Sequence, residues 1–385
     1  MTRQTSTSGR LAWIDQLRTL AIVLVVNMHA CVTYSHVGSW YVLESPAPPL
    51  LTKVLFVFWQ GHLQAFFMGI LFLVAGYFAH GSLVRRGPGG FVRERLMRLG
   101  APTLFYMLVL NPVILLLINP NRDDYGPLPG AYAAYLASGR FVGGSGPMWF
   151  AAALLIFSAV LAASRALRPA SEAEPAGAPP APGAAAVAAW GLALVAATFL
   201  TRTVEPVDSS VLNMQLCYFP QYVLAFGTGV AAARGRWLQA LARSALARRA
   251  GWAALILGPV ALALVLVEMG VLRGAISRDF AGGWNPTALA FAAWEQLAGL
   301  GLGLGALAFC SGKLDVSTTL SRWLSERSFG VYLFHPPILI LIGIAMRPLA
   351  ADPFFKVSLL TAACLVASYL VSDIARTIPG LRALV

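Results

Sequence analysis

Residues 11–33 read LAWIDQLRTLAIVLVVNMHACVT, long enough to cross a bilayer as one helix, which takes about 20 residues. The three ionisable side chains in it are not scattered. Asp15 and Arg18 are three apart and share a helix face. From Arg18 to His29 is eleven residues, which at about 100° each comes back to within about 20° of the same direction. Asp15, Arg18 and His29 thus form one stripe, with the arginine and the histidine roughly 16 Å apart along the axis. An ionisable group at membrane depth is costly and normally faces a bundle interior or a wet cavity, where it has a function. The basic start followed by an apolar run has the outline of a signal peptide, but Asp15 and Arg18 interrupt the run and it continues past His29, so a retained helix is expected.

The rest of the chain agrees with a membrane setting. Of 385 residues, 58% are hydrophobic and only 11% charged, against roughly a quarter charged in a soluble domain. The mean hydropathy is +0.71. Spans are expected at 11–33, 51–80, 92–118, 147–167, 184–203, 214–233, 250–268, 286–310, 328–346 and 355–376. The fold class is therefore all-α, a polytopic transmembrane bundle of about ten helices. Cys31, Cys217, Cys310 and Cys364 lie far apart with no ligand-like spacing and read as small packing residues.

Net charge of +12 does not indicate nucleic acid, because no soluble basic domain exists to carry a duplex. Nineteen of the 28 Lys and Arg fall on one set of inter-helix segments, eight on the other, and Arg18 lies within a helix. That asymmetry places both termini in the cytoplasm. PASEAEPAGAPPAPGAAA at 169–186 is expected to be a flexible cytoplasmic linker within a single transmembrane domain spanning 1–385. The opposite face carries the longer polar loops, 119–146 and 269–285. Arg273, Arg278, Asp279 and Trp284 in the second can either meet a polar substrate or simply face solvent.

Several further residues stand out. His62 falls in the outer half of the second helix, at a height where it can support His29 or serve packing. Phe66, Phe67, Gly69 and Gly76 indicate close helix contact beside an aromatic wall. Arg93, Arg95 and Arg98 begin the third helix, either as phosphate ligands or as positive-inside anchors. Trp149 reads as an interfacial aromatic. Tyr332 and His335 precede Pro336 and Pro337, a pair expected to break the ninth helix beside the histidine. For the stripe itself, two readings stand: a catalytic line with His29 as general base and Arg18 gripping an anion, or an Asp15–Arg18 interfacial pair with His29 as a packing residue.

The ordered segments WIDQLRTLAIVLVVNMHA, FFMGILFLVAGYF, RERLMRLGAP, GPMWF and SFGVYLFHPP resemble the membrane-bound acyltransferase-3 family, in particular its glucan biosynthesis protein C (succinyltransferase) branch. That family carries an arginine and a histidine separated by ten residues in its first helix, here Arg18 and His29. Ala75 stands where a serine is common, and Met148 where a His or Leu is. The resemblance implies O-acyl transfer from cytoplasmic acyl-CoA, as donor substrate and not a bound cofactor, to a hydroxyl of a cell-envelope carbohydrate. It further implies a multi-pass protein of the bacterial inner membrane. Catalytic roles then go to His29 and Arg18, with Asp15, His62 and His335 beside them, and donor binding to Arg18, Arg93, Arg95 and Arg98; no metal is implied. The competing reading is a secondary transporter or flippase, which polar groups at mid-depth and a broken helix would equally serve.

Overall fold

The computed structural model describes residues 11–119, 128–167, 180–274 and 276–385. Among these, the chain is an all-α bundle in which nine helical stretches are long and apolar enough to cross a membrane. One stretch, Leu50–Ile118, is 69 residues long and cannot be a single crossing. Gly87, at φ 70°, breaks it, a conformation that glycine alone adopts at little cost, and Pro88 follows. Ser82 Oγ donates to Glu94 Oε2 at 2.6 Å, whereas twelve residues of straight helix would separate them by about 18 Å. The chain therefore turns back at Gly87, and the stretch supplies the second and third spans.

In chain order the elements are α1 (Ala12–Ser35), α2 (Leu50–Arg95, bent at Gly87) and α3, residues 96–118. They continue with α4 (Leu128–Ala137), α5 (Trp149–Ala166), α6 (Ala184–Arg202), α7 (Phe219–Gly235) and α8 (Ala245–Glu268). The last three are α9 (Pro286–Lys313), α10 (Thr319–Ala345) and α11 (Pro353–Ala375). The start of α1 meets the start of α10 through Arg18 and Ser325, and the end of α11 meets it through Asp373 and Arg327. Both ends of the described chain thus lie on one face.

Packing at the centre depends on small residues. A side chain at Gly76 of α2 would run into the Phe226 carbonyl of α7, and one at Gly229 of α7 into the Leu73 carbonyl. The two helices touch backbone to backbone, and the expectation of close contact at Gly76 holds. The four cysteines are free and buried.

Several boundaries differ from expectation. The loop expected at 119–146 contains α4, whose tyrosines have a specific task. Pro112 removes the N–H that would bond the carbonyls of Met107 or Leu108, in a segment that is π-helical over Tyr106–Leu110. Tyr135 donates to the Met107 carbonyl at 2.9 Å and Tyr132 to that of Leu108 at 3.0 Å. α8 begins at Ala245, capped by Ser244, because Arg248 and Arg249 mask the start of an apolar helix. α10 begins at Thr319 behind a Thr318–Ser321 capping box, nine residues before the expected start. Most of the 169–186 linker lies outside the described residues, and its last three residues already belong to α6.

The expected break at Pro336–Pro337 does not occur: α10 runs through both prolines. Pro336 has no N–H for the Tyr332 carbonyl four residues back, and the His335 side chain fills the vacancy, donating from Nδ1 to that carbonyl at 2.8 Å. The helix continues because the histidine replaces the missing rung.

Candidate active site

His29 is in the last third of α1 and lines a cavity of about 810 Å³ at the end of the bundle away from Arg18. The chain after α1 folds over it. His36 takes a left-handed conformation at the helix end, Glu44 N–H donates to the Thr33 carbonyl at 2.8 Å, and His36 Nε2 donates to the Glu44 carbonyl at 2.5 Å. Lys356 of α11, almost fully buried, pairs with the Glu44 carboxylate at 2.5 Å. This pinned turn presents Trp40, which stacks on His29 with ring centroids 3.9 Å apart and planes at 20°. Tyr41 donates to Asn111 Oδ1 at 2.8 Å and meets the Tyr106 hydroxyl at 3.1 Å; burial raises the Tyr41 hydroxyl above the ordinary phenol value.

His335 is fully buried and stacks on His29, centroids 5.4 Å apart. With Nδ1 donating to a carbonyl, its proton is on Nδ1 and its lone pair on Nε2, which has no hydrogen-bond partner. Cys364 Sγ donates to the His335 carbonyl at 3.6 Å. One turn earlier Tyr332 lines the cavity and donates to the carbonyl of Pro147. Trp149, expected at the lipid interface, lines the cavity as well, because α5 points its first turn inward. His29, Trp40, Tyr332 and His335 therefore form one group, built from α1, the turn after it and α10.

The other expected site residues are elsewhere. Arg18 donates from Nη2 to the Ser325 carbonyl at 3.2 Å and to Ser325 Oγ at 3.0 Å, and Asp15 pairs with it at 3.6 Å. They are on the face of the bundle opposite the histidine cavity. Glu94 gathers Arg86 at 3.1 Å and Arg98 at 3.4 Å, Arg95 stacks on Phe91, and Arg93 adjoins them in sequence. His62 donates from Nδ1 to the Phe58 carbonyl at 2.6 Å and meets the edge of Trp294; it is packed against Trp294 and not against His29. In the 269–285 loop, Arg278 pairs with Asp208 in solvent at 2.8 Å and Trp284 is exposed against Phe199. Met269, Ile276 and Phe280 of that loop line the cavity.

Sequence reading missed a second polar centre. Arg202, at the end of α6, and Glu295, on α9, are both buried and pair at 2.6 Å. The guanidinium lies over the rings of Tyr218 and Phe291. Gln296 Nε2 donates to the same Glu295 oxygen at 2.9 Å, and Glu295, Tyr218 and Phe291 line the cavity that His29 lines. The signal was present: Glu295 interrupts an apolar run, as Asp15 does. Arg202, at a helix end, reads in the sequence as one of the eight cations of the opposite loops.

The geometry offers an imidazole in a cavity with aromatic walls, and a separate cationic face. A family model described as an acyltransferase domain, acyltransferase-3, matches residues 11–374. No curated protein and no solved structure matches the chain.

Proposed function

Since the chain belongs to the acyltransferase-3 family, and so is a membrane acyltransferase, we propose that it moves an acyl group from acyl-CoA to a hydroxyl of a cell-envelope carbohydrate. The observation that carries this reading is His29, an imidazole exposed to a cavity between Trp40 and His335. Histidine is the side chain best matched to general-base work near neutral pH. In the proposed step the acceptor O–H loses its proton to His29 as its oxygen attacks the thioester carbonyl. The C–S bond breaks, the ester forms, and the thiolate leaves with the proton from His29 as free CoA.

Donor binding is assigned to the opposite face. There Arg18, oriented by Asp15 and Ser325, and the Arg93, Arg95 and Arg98 group can hold phosphates by paired donors. We assign this face to the cytoplasmic side of a bacterial inner membrane, a reading that the arginine excess supports, and with it the termini and the 169–186 segment. The roughly 16 Å from Arg18 to His29 along α1 suits a thioester on a long flexible arm. His335 supports His29 by stacking, and His62 stands behind Trp294.

The test is an acyl-transfer assay in membranes at equal expression. His29→Ala is expected to reduce turnover at least 100-fold, the usual worth of a general base. Arg18→Ala is expected to raise the KM for acyl-CoA about tenfold or more. Full activity in both variants overturns the proposal.

A further inference from the structure

Two polar groups at the cavity are committed on one side and unpartnered on the other. Glu295 receives both its donors, Arg202 Nη2 and Gln296 Nε2, on the single oxygen Oε2, and it lines the cavity, so the second oxygen is left for an occupant. Gln60 of α2 lines the same space. Its Nε2 donates to the Val37 carbonyl at 3.1 Å, which fixes the amide orientation, and its Oε1 is buried with no partner. A buried acceptor without a donor costs about 1–3 kcal/mol, and an ionic pair at membrane depth is retained at a cost as well. Both costs point to a ligand that brings donors.

The chemistry of that ligand follows from charge and shape. An anion is disfavoured beside Glu295 and Gln60, where the unpartnered atoms are acceptors; Arg202 Nε and Nη1 also lack partners, but Arg202 does not line the cavity. A cation has little to gain from a carboxylate whose charge Arg202 already balances at 2.6 Å. A neutral compound with several O–H groups satisfies both acceptors. The walls nearby are rings held in place: Trp294 donates from Nε1 to the Gly258 carbonyl at 2.9 Å, and Phe291 and Tyr218 each lie against the Arg202 guanidinium. Such rings suit the apolar faces of a polyol ring.

We infer that Glu295, held by Arg202 and assisted by Gln60, is the acceptor-binding residue of this enzyme and selects compounds bearing more than one hydroxyl. The inference rests on the acyl-transfer reading above and adds the residue that reads the acceptor. Glu295 touches substrate; Arg202 is a positioning residue, aiming one carboxylate oxygen and leaving the other to the ligand.

The experiment uses the full chain in nanodiscs with acetyl-CoA or succinyl-CoA as donor, and follows acceptor-dependent thiol release. Acceptor probes are glycerol, glucose and cellobiose, with 1-propanol as the monohydric control. Glu295→Gln is expected to raise the KM for the polyols at least tenfold, to change propanol acylation less than threefold, and to leave the donor KM unaltered. The paired variant Arg202→Met with Glu295→Leu avoids a lone buried charge and is expected to show the same selective loss, while Glu295→Asp restores part of the polyol KM. An unchanged polyol KM overturns the inference. So does an equal loss for polyols and propanol in both variants, which marks the pair as a general structural element. Wild-type protein releasing no thiol with any acceptor overturns the acyl-transfer reading itself, whereas transfer by wild type with an insensitive Glu295 variant overturns only this step.

Discussion

Trp40 lies face to face with His29, ring centroids 3.9 Å apart, and this contact sets the direction of the imidazole in the cavity. A ring free to rotate spends less time aimed at its substrate, and loss of orientation is costly to a reaction that depends on a near-attack geometry. Trp40→Ala is expected to lower kcat about tenfold with the donor KM unchanged, and Trp40→Phe to recover most of it. Steady-state kinetics in membranes, with expression matched, measures both. Loss in the donor KM instead of kcat would assign Trp40 to substrate binding.

The turn that carries Trp40 is held by the pair of Lys356 and Glu44 at 2.5 Å. Lys356→Met leaves the carboxylate without its cation, and because Glu44 is partly exposed the cost is about 1–3 kcal/mol, below that of a fully buried pair. The thermal midpoint in detergent is expected to fall by several degrees and kcat to fall with it. Glu44→Gln combined with Lys356→Met is expected to regain part of the midpoint, the coupling that a double-mutant cycle reads. Additive losses would show that the two side chains act independently.

The sequence made the spans and the α1 stripe legible because both depend on short-range periodicity, and residues three or eleven apart share a face in any α-helix. It placed Arg18 and His29 on one line but said nothing of which neighbours each meets. Only α10 and the turn after α1, hundreds and a dozen residues away, make His29 part of a cavity wall and Arg18 a partner of Ser325. Arg202 and Glu295 were missed for the same reason: 93 residues separate them, and neither looks paired alone. Pro336 misled because a proline reports a missing N–H, whereas continuation of the helix depended on what else could reach the freed carbonyl. Trp149 was misplaced because an aromatic at a helix start has the same signature at the interface and in a cavity.

Close approach of α2 and α7 gives a stability test independent of chemistry. At Gly76 an added methyl meets the Phe226 carbonyl, which is backbone and cannot rotate away. Gly76→Ala must part the helices, at about 1–3 kcal/mol for overpacking, more than the roughly 1 kcal/mol that alanine returns in helix propensity. The thermal midpoint is expected to drop. Gly89, whose added methyl would meet nothing, is the control, and Gly89→Ala is expected not to lower the midpoint.

The same carbonyl logic makes a prediction at Pro336 in which stability and activity move in opposite directions. A proline inside a helix costs about 3 kcal/mol relative to alanine, so Pro336→Ala is expected to raise the thermal midpoint. Restoring the N–H also gives the Tyr332 carbonyl its normal helical partner, and His335 Nδ1, which now donates there at 2.8 Å, must share it. The imidazole then loses the bond that keeps its proton on Nδ1 and holds its ring parallel to His29. Nitrogen NMR of histidine-labelled protein, assigned with His335→Gln, is expected to show one Nδ1-protonated form in wild type and a mixture in Pro336→Ala. Activity is expected to fall several-fold in the more stable protein, a trade common where a strained arrangement serves a site. A variant that is more stable and equally active, with the ring still protonated at Nδ1, would show that packing alone orients His335 and that the proline has no part in it.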